Sequence, residues 1–411
     1  MAARVGAASA VAVAGGIFFV GQGGRRESCC WVNDKSRQIR SSAPYCGVSA
    51  FLAKQACEFL DAELAHRVAI LGCNLGFGPA YDVLDDSLKV KLFGGTLELD
   101  SPVGVAAGFD KHGEAMRGLQ DMGFGFCEVG GVTPLEQPGN AKPRVFRLRE
   151  DGAIINRFGL NSDGVETVAQ RLETFKKVGS NGFGVGANVA RNTSSADARE
   201  DFATVITRLA DCVDFVVLNI SCPNVGSTAG SHAAAYGPKG SITGDVQAAV
   251  EARNKSRPAL PLLIKVSPDL DEAALKAVAS LALRADIQGL VVSNTTAKRD
   301  DVILASPHAQ EKGGLSGAPL KAKALASTKR LYELTRAKQL TIVGVGGIAT
   351  AQDAYERIRA GASVVELYTA LAYDGPALSP KVHSQLAQLL KRDGFRTVSD
   401  AVGADTKAAK K

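Results

Sequence analysis

Phe215-Val-Val-Leu218 runs straight into Asn219-Ile-Ser-Cys-Pro-Asn224, and the reading of this stretch decides the fold. An apolar run that stops abruptly in polar residues and a proline predicts a buried strand that delivers side chains to a site. Cys222 sits where the strand stops, between two asparagines that each offer an amide donor and an acceptor. One reading is a thiol base or nucleophile beside groups that grip a polar heterocycle. The other is a small buried cysteine at a strand end, which is the default for a lone cysteine. The neighbours have to choose.

Comparable runs stand at 102–109, 126–133 and 183–189 before this stretch, and at 262–266, 289–295, 341–348 and 363–369 after it. Helix-like segments separate most of them, as at 198–209, 272–283, 325–337 and 351–360. Eight strands alternating with helices over roughly 300 residues are what a (β/α)8 TIM barrel requires, so the fold class is α/β. The competing doubly wound sheet needs a glycine fingerprint after its first strand, which this chain lacks.

In such a barrel, chemistry gathers at the C-terminal ends of the strands. Those ends carry Asp110-Lys111, Thr133, Asn188, Asn219 to Asn224, Lys265, Ser293-Asn294-Thr295, Gly346-Gly347 and Tyr368-Thr369. One polar residue there is uninformative; amide, hydroxyl, thiol and ammonium groups at nearly all eight ends point to a site. Gly344-Val-Gly-Gly347 and Leu367-Tyr-Thr-Ala370 lead into helices, where turn N–H groups make a phosphate site. Gly313-Gly-Leu-Ser-Gly317 reads as a further loop where backbone can approach a ligand. Lys265 interrupts the apolar run Leu262-Leu-Ile-Lys-Val266, and a charge there is costly unless paired. It is expected to face an anion in the barrel mouth, either a flavin ring or a substrate carboxylate.

Composition narrows the class. The 411 residues suffice for one large domain or two ordinary ones, and 45% hydrophobic with 22% charged content excludes wholesale disorder. The net charge of +6 comes partly from both termini, so it does not describe a nucleic-acid groove. Eight cysteines without a C-x-x-C pair leave zinc ribbons and cysteine-ligated iron–sulfur clusters unsupported and suggest free thiols in a reducing compartment. No metal site is expected.

Residues 5–24 carry no charge and are bounded by Arg4 and Arg25-Arg26, so they are just long enough to span a bilayer. A cleaved address and a retained anchor both fit. From Ser49 to Leu75, Phe51, Leu52, Ala56, Phe59, Leu60, Leu64, Val68 and Leu71 recur at helical spacing. This predicts short amphipathic helices, capping a core by spacing alone, or forming a membrane-surface or tunnel module. The division is therefore a leader at 1–30, a linker at 31–48, a helical module at 49–84, the barrel at 85–404 and a basic tail at 405–411.

Six motifs occur in order: Ala106-Ala-Gly-Phe-Asp-Lys111, Asn156-Arg-Phe-Gly-Leu-Asn161, Asn219-Ile-Ser-Cys-Pro-Asn224, Ser293-Asn-Thr-Thr296, Gly313-Gly-Leu-Ser-Gly317 and Leu367-Tyr-Thr369. Together they resemble the dihydroorotate dehydrogenase family. The helical segment with Ala65-His-Arg67 resembles that family's membrane-associated, quinone-dependent class. The resemblance implies FMN held by Ala106, Ala107, Gly108, Gly131, Asn188, Asn219, Lys265, Ser293, Gly317, Gly346, Gly347, Tyr368 and Thr369. It implies dihydroorotate held by Lys111, Asn156, Arg157, Phe158, Gly159, Leu160, Asn219, Asn224, Asn294 and Thr295. His66 and Arg147 would line a ubiquinone tunnel between the helical module and the barrel. Cys222 would take the C5 proton while the C6 hydride passes to FMN, with Lys265 stabilising negative charge on the ring. The implied location is the mitochondrial inner membrane in a eukaryote, or otherwise the cytoplasmic membrane, through the leader and the helical module.

Some positions depart from the quinone class. Its base is usually serine, whereas Cys222 resembles the soluble class; a thiol pKa of about 8.5 makes the thiolate easier to reach than an alkoxide. Gly131 stands where a serine usually meets the flavin, and Phe158 and Leu160 replace larger or more polar residues of the tunnel wall. Three alternatives follow: dihydroorotate oxidation with fumarate or another acceptor, oxidation of a different dihydropyrimidine, and a catalytically silent structural subunit at a membrane. Residues 225–245, rich in Gly, Ser and Ala, are expected to form a lid after the base.

Overall fold

The computed structural model describes residues 34–82, 85–220, 235–237, 240–299 and 302–407. Cys222, Asn224, the 5–24 apolar stretch and most of the expected lid lie outside them. The described end of that lid, from Ser241 on, is the first turn of the helix Ser241–Ser256.

Eight parallel strands close into a barrel in strict chain order. They are β1 (Val103–Val105), β2 (Phe126–Val132), β3 (Gly184–Val189), β4 (Phe215–Asn219), β5 (Leu262–Val266), β6 (Gly289–Val292), β7 (Thr341–Val345) and β8 (Val364–Leu367). Every residue of β2, β3, β5 and β7 is buried, as strands covered on both faces require. The surrounding helices bury one stripe each. In Ala198–Leu209 that stripe is Phe202, Val205, Ile206 and Leu209, and Asp197 caps the start by accepting from the Arg199 N–H. The barrel floor is filled by Phe126 and Phe215, edge to face at 6.1 Å. Glycines make that room: a Cβ at Gly104 would lie 2.5 Å from the Phe126 ring, and one at Gly186 would lie 2.3 Å from Phe215.

Several expected strands end early. β1 stops at Val105 and β6 at Val292, after which the Ser293 and Asn294 N–H groups donate to the carbonyls of Val345 and Val266. Thr369 begins the helix Thr369–Asp374. Gly313-Gly-Leu-Ser-Gly317, expected as a loop, is largely a strand. Gly314–Gly317 pairs antiparallel with Ala153–Asn156, which pairs with Val145–Leu148. This sheet has its own small core of Phe146, Leu148, Ala153, Ile155 and Leu315.

Before the barrel come helices Ala43–Phe59 and Ala62–Asn74. The stretch expected as linker is helical instead: it holds the helix Asp34–Arg40 and the first turns of Ala43–Phe59, where a proline sits at an N-terminal position whose N–H needs no partner. Spacing alone favoured a cap over a core. Instead Phe51, Leu52, Phe59, Leu64, Val68 and Leu71 face outward, with Val48, Leu75 and Phe77 exposed beside them. Among the described residues no helix is long and apolar enough to cross a membrane.

Candidate active site

Lys265 leaves β5 inside the barrel and is 5% exposed. Its ammonium meets Glu128 Oε1 of β2 at 3.2 Å, so the first anion it faces is a side chain of the protein. The same oxygen accepts from Asn188 Nδ2 at 2.5 Å, and Asn188 Oδ1 accepts from Asn219 Nδ2 at 3.0 Å. Strands β2 to β5 thus contribute one continuous polar row that satisfies a buried cation. Glu128 was not among the expected site residues, although a lone charge in the apolar run 126–133 is the same signal that marked Lys265.

The rim of the mouth is assembled by β1 and β8. Ala106 N–H donates to Leu367 O at 3.0 Å and Gly108 N–H to Gly130 O at 2.8 Å. Tyr368 Oη reaches Gly108 O at 3.3 Å, and Thr369 Oγ1 reaches Ser316 Oγ at 2.9 Å. Burial pushes the Tyr368 phenol up, so it stays protonated. Opposite, Asn156 pairs with Gly314, and a Cβ at Gly314 would lie 2.0 Å from Thr295 Oγ1, so the sheet and the 293–296 turn touch directly. Asn294 Oδ1 caps that turn by accepting from the Thr295 N–H at 2.8 Å. Asp269 braces it from behind, receiving Thr296 Oγ1 at 2.5 Å and Lys323 Nζ at 3.4 Å.

Lys111 lies 4.5 Å above the Phe158 ring, and Arg144 lies 5.1 Å from that ring. Gly159 and Leu160 both hold positive φ, +73° and +58°, a turn that brings Leu160 toward Gly131. Arg157 is committed to the scaffold, paired with Glu311 at 2.7 Å and stacked on Phe146 at 4.5 Å. Two strand-end residues are likewise spent locally. Asp110 accepts from the N–H groups of Glu114 and Ala115, and Thr133 Oγ1 donates to Leu135 O.

His66 Nε2 lies 2.6 Å from Phe109 O, beside the rings of Phe109 and Tyr368. Burial lowers its pKa to about 4, so it is neutral at pH 7. Arg147 caps the C-terminal end of helix Ala43–Phe59 on the carbonyls of Cys57 and Leu60, and Arg149 joins it on Cys57 at 2.6 Å. The two expected tunnel residues therefore sit at the junction of hairpin and barrel with different partners.

A model of the dihydroorotate dehydrogenase family matches residues 87–390. The chain belongs to that family. Relatives named dihydroorotate dehydrogenase (quinone) include a mitochondrial one of Oryza sativa subsp. japonica, 41% identical, with 98% of this chain and 86% of that one covered. Another, of Azorhizobium caulinodans, is 44% identical over 84% of this chain and 95% of its own. Among solved structures, the dihydroorotate dehydrogenase of Eimeria tenella in complex with ferulenol aligns at a TM-score of 0.78 and 37% identity, covering 85% of this chain and 96% of that one.

The residues fit the FMN of dihydroorotate dehydrogenases. Gly317, Gly346 and Gly347 hold φ of +97°, +109° and +70°, and a Cβ at Gly347 would come within 2.5 Å of the Lys321 backbone. That leaves bare backbone where a phosphate needs N–H groups without side chains in the way. The buried ammonium and the asparagine amides supply the donors that a polar ring asks for. Gly131, where a serine usually meets the flavin, has less room to spare than open space but more than Gly347: a Cβ there would stand 3.1 Å from Ala190 Cβ and 3.3 Å from Asn188 Oδ1.

Proposed function

We propose that this chain oxidises (S)-dihydroorotate to orotate in the barrel mouth, with FMN accepting the hydride and a quinone as final electron acceptor. Loss of the C5 proton and the C6 hydride leaves the C5–C6 double bond of orotate. FMN, when bound, supplies the two-electron acceptor. The protein's residues do the rest. Cys222 takes the C5 proton as thiolate, while Asn156, Asn219, Asn224, Asn294 and Thr295 pair with the pyrimidine amides. Lys111 meets the carboxylate. Lys265, Asn188 and Asn219 hold the ring, with Ala106, Ala107, Gly108, Ser293 and Tyr368 around it; Gly317, Gly346, Gly347 and Thr369 hold the phosphate. One observation carries this reading: a buried ammonium oriented by Glu128 in line with the amides of Asn188 and Asn219. Such a preorganised charge stabilises electron density arriving above it.

The outward apolar face of the two helices supports docking on a membrane, with quinone entering past His66 and Arg147. Plant relatives are named mitochondrial, which supports the inner mitochondrial membrane if this chain is eukaryotic. The test is anaerobic mixing of the purified flavoprotein with dihydroorotate, followed by a short-chain quinone or fumarate. Flavin bleaching with orotate release, then recolouring by quinone, is expected. A colourless protein, or no bleaching, would overturn the enzyme reading. Recolouring by fumarate alone would overturn only the acceptor.

A further inference from the structure

Beneath the proposed flavin site the barrel holds a second buried acid. Glu366 of β8 is 1% exposed and Glu128 is fully buried. Glu128 Oε1 is occupied by Lys265 and Asn188, which marks Glu128 as the anion. Glu128 Oε2 and both oxygens of Glu366 have no hydrogen-bond donor. The two carboxyl groups lie within hydrogen-bonding reach of each other, and two carboxylates there would repel with nothing between them. A single proton resolves this. Placed on Glu366, it gives Glu128 Oε2 its missing donor and reduces the charge of the trio Lys265, Glu128 and Glu366 to zero.

We propose that Glu366 is a positioning residue that carries a buried proton and donates it in a hydrogen bond to Glu128, fixing the carboxylate that in turn aims Lys265 at the cofactor. Among the described residues, the Cys127 thiol next to Glu128 on β2 also feels both acids, with Asp110 beyond it, and burial keeps that thiol protonated. Burial first, then the charge of Glu128, holds the Glu366 carboxyl well above the usual carboxylate range, while Lys265 pulls the other way. The functional half of this proposal rests on the FMN reading. The proton itself does not.

Three measurements on the full chain test it. Infrared spectra of the native protein at pH 8 should show a protonated-carboxyl carbonyl band that shifts in heavy water and is missing from Glu366→Gln. A native spectrum without that band would overturn the proton. Thermal melts give a second readout. Above the pKa of an unfolded glutamate, folded Glu366 keeps a proton that the unfolded chain releases, so native stability falls as pH rises. The Glu366→Gln melting temperature should therefore gain on the native one as pH rises above 5, and a difference that stays constant between pH 5 and pH 9 would overturn the proposal. Third, Glu366→Ala should slow flavin reduction by dihydroorotate at least tenfold with FMN still bound, and Glu366→Gln, which restores a donor, should recover most of that rate. Equal rates in the native and Ala proteins would remove Glu366 from the positioning of Lys265. A native protein without flavin would sink the proposed function, leaving the first two measurements to decide the proton.

Discussion

Gly347 shows how little a binding turn can tolerate. Its φ of +70° costs a side chain about 1–2 kcal/mol, and a Cβ would meet the Lys321 backbone at 2.5 Å. Gly347→Ala should therefore weaken FMN retention about tenfold or more, since each 1.4 kcal/mol is a factor of ten. Titrating apoprotein with FMN by fluorescence quenching checks it, and unchanged affinity would take the phosphate away from this turn. At Cys222 the expectation concerns pH. A serine must lose its proton to a neighbour, whereas a thiol of pKa about 8.5 reaches its anion unaided, so Cys222→Ser should move the pH profile of flavin reduction upward. A superimposable profile would remove Cys222 as the base. Lys265 was legible in the sequence because a cation inside Leu-Leu-Ile-Lys-Val has one physical excuse, a buried partner. The partner's identity was not. Glu128 and Glu366 interrupt equally apolar runs, but which strand faces which is a property of barrel closure rather than of either run.

Among the elements, the eight strands were legible because runs buried on both faces are apolar throughout, and their boundaries erred mainly at the C-terminal ends, where the run continues past the ladder, as Ala106-Ala-Gly-Phe109 does after β1 and Ser293-Asn-Thr295 after β6. The antiparallel sheet was hidden. Its strands are four residues each, one is Gly-Leu-Ser-Gly, and its pairing joins 153–156 to residues about 160 positions later. Equally hidden was the attachment of the helical hairpin, which depends on long polar side chains rather than apolar spacing. Arg147 ties Cys57 and Leu60, and Arg144 holds Glu63 at 2.8 Å. A charged donor on a part-buried carbonyl is worth about 1.5–3 kcal/mol, so Arg147→Ala should loosen the hairpin and leave the barrel folded. Dihydroorotate should still bleach the flavin at the native rate, while KM for quinone rises severalfold and proteolysis near Leu60 accelerates. A slowed first half-reaction would show that Arg147 serves the barrel instead.

Across the whole molecule, the N-terminal face of the barrel is locked by a histidine far from the proposed chemistry. His383, on the helix Leu378–Arg392, has Nε2 2.5 Å from Ser101 Oγ and Nδ1 3.4 Å from Ser379 Oγ. Ser101 Oγ also accepts the Val103 N–H at 3.0 Å, so the lock sits at the entry to β1 where the barrel closes against β8. Burial lowers the His383 pKa to about 4, which means that the folded protein resists charging it. Between the unfolded value of 6.5 and about 4 the unfolded chain binds the extra proton, so stability falls as pH drops through that window and levels off below it. At 1.36 kcal/mol per unit the loss reaches at most about 3 kcal/mol, less whatever relaxation recovers. His66 titrates in the same window at the hairpin junction, so the native curve contains both. The contribution of His383 is isolated by comparing urea midpoints of the native protein and His383→Gln at pH 7, 6, 5 and 4.5. The variant should be less stable at pH 7, where it lacks the fitted ring, and should lose less on acidification, so the two curves converge. Parallel curves would mean that the imidazole is not held neutral, and that barrel closure tolerates a charge at Ser101.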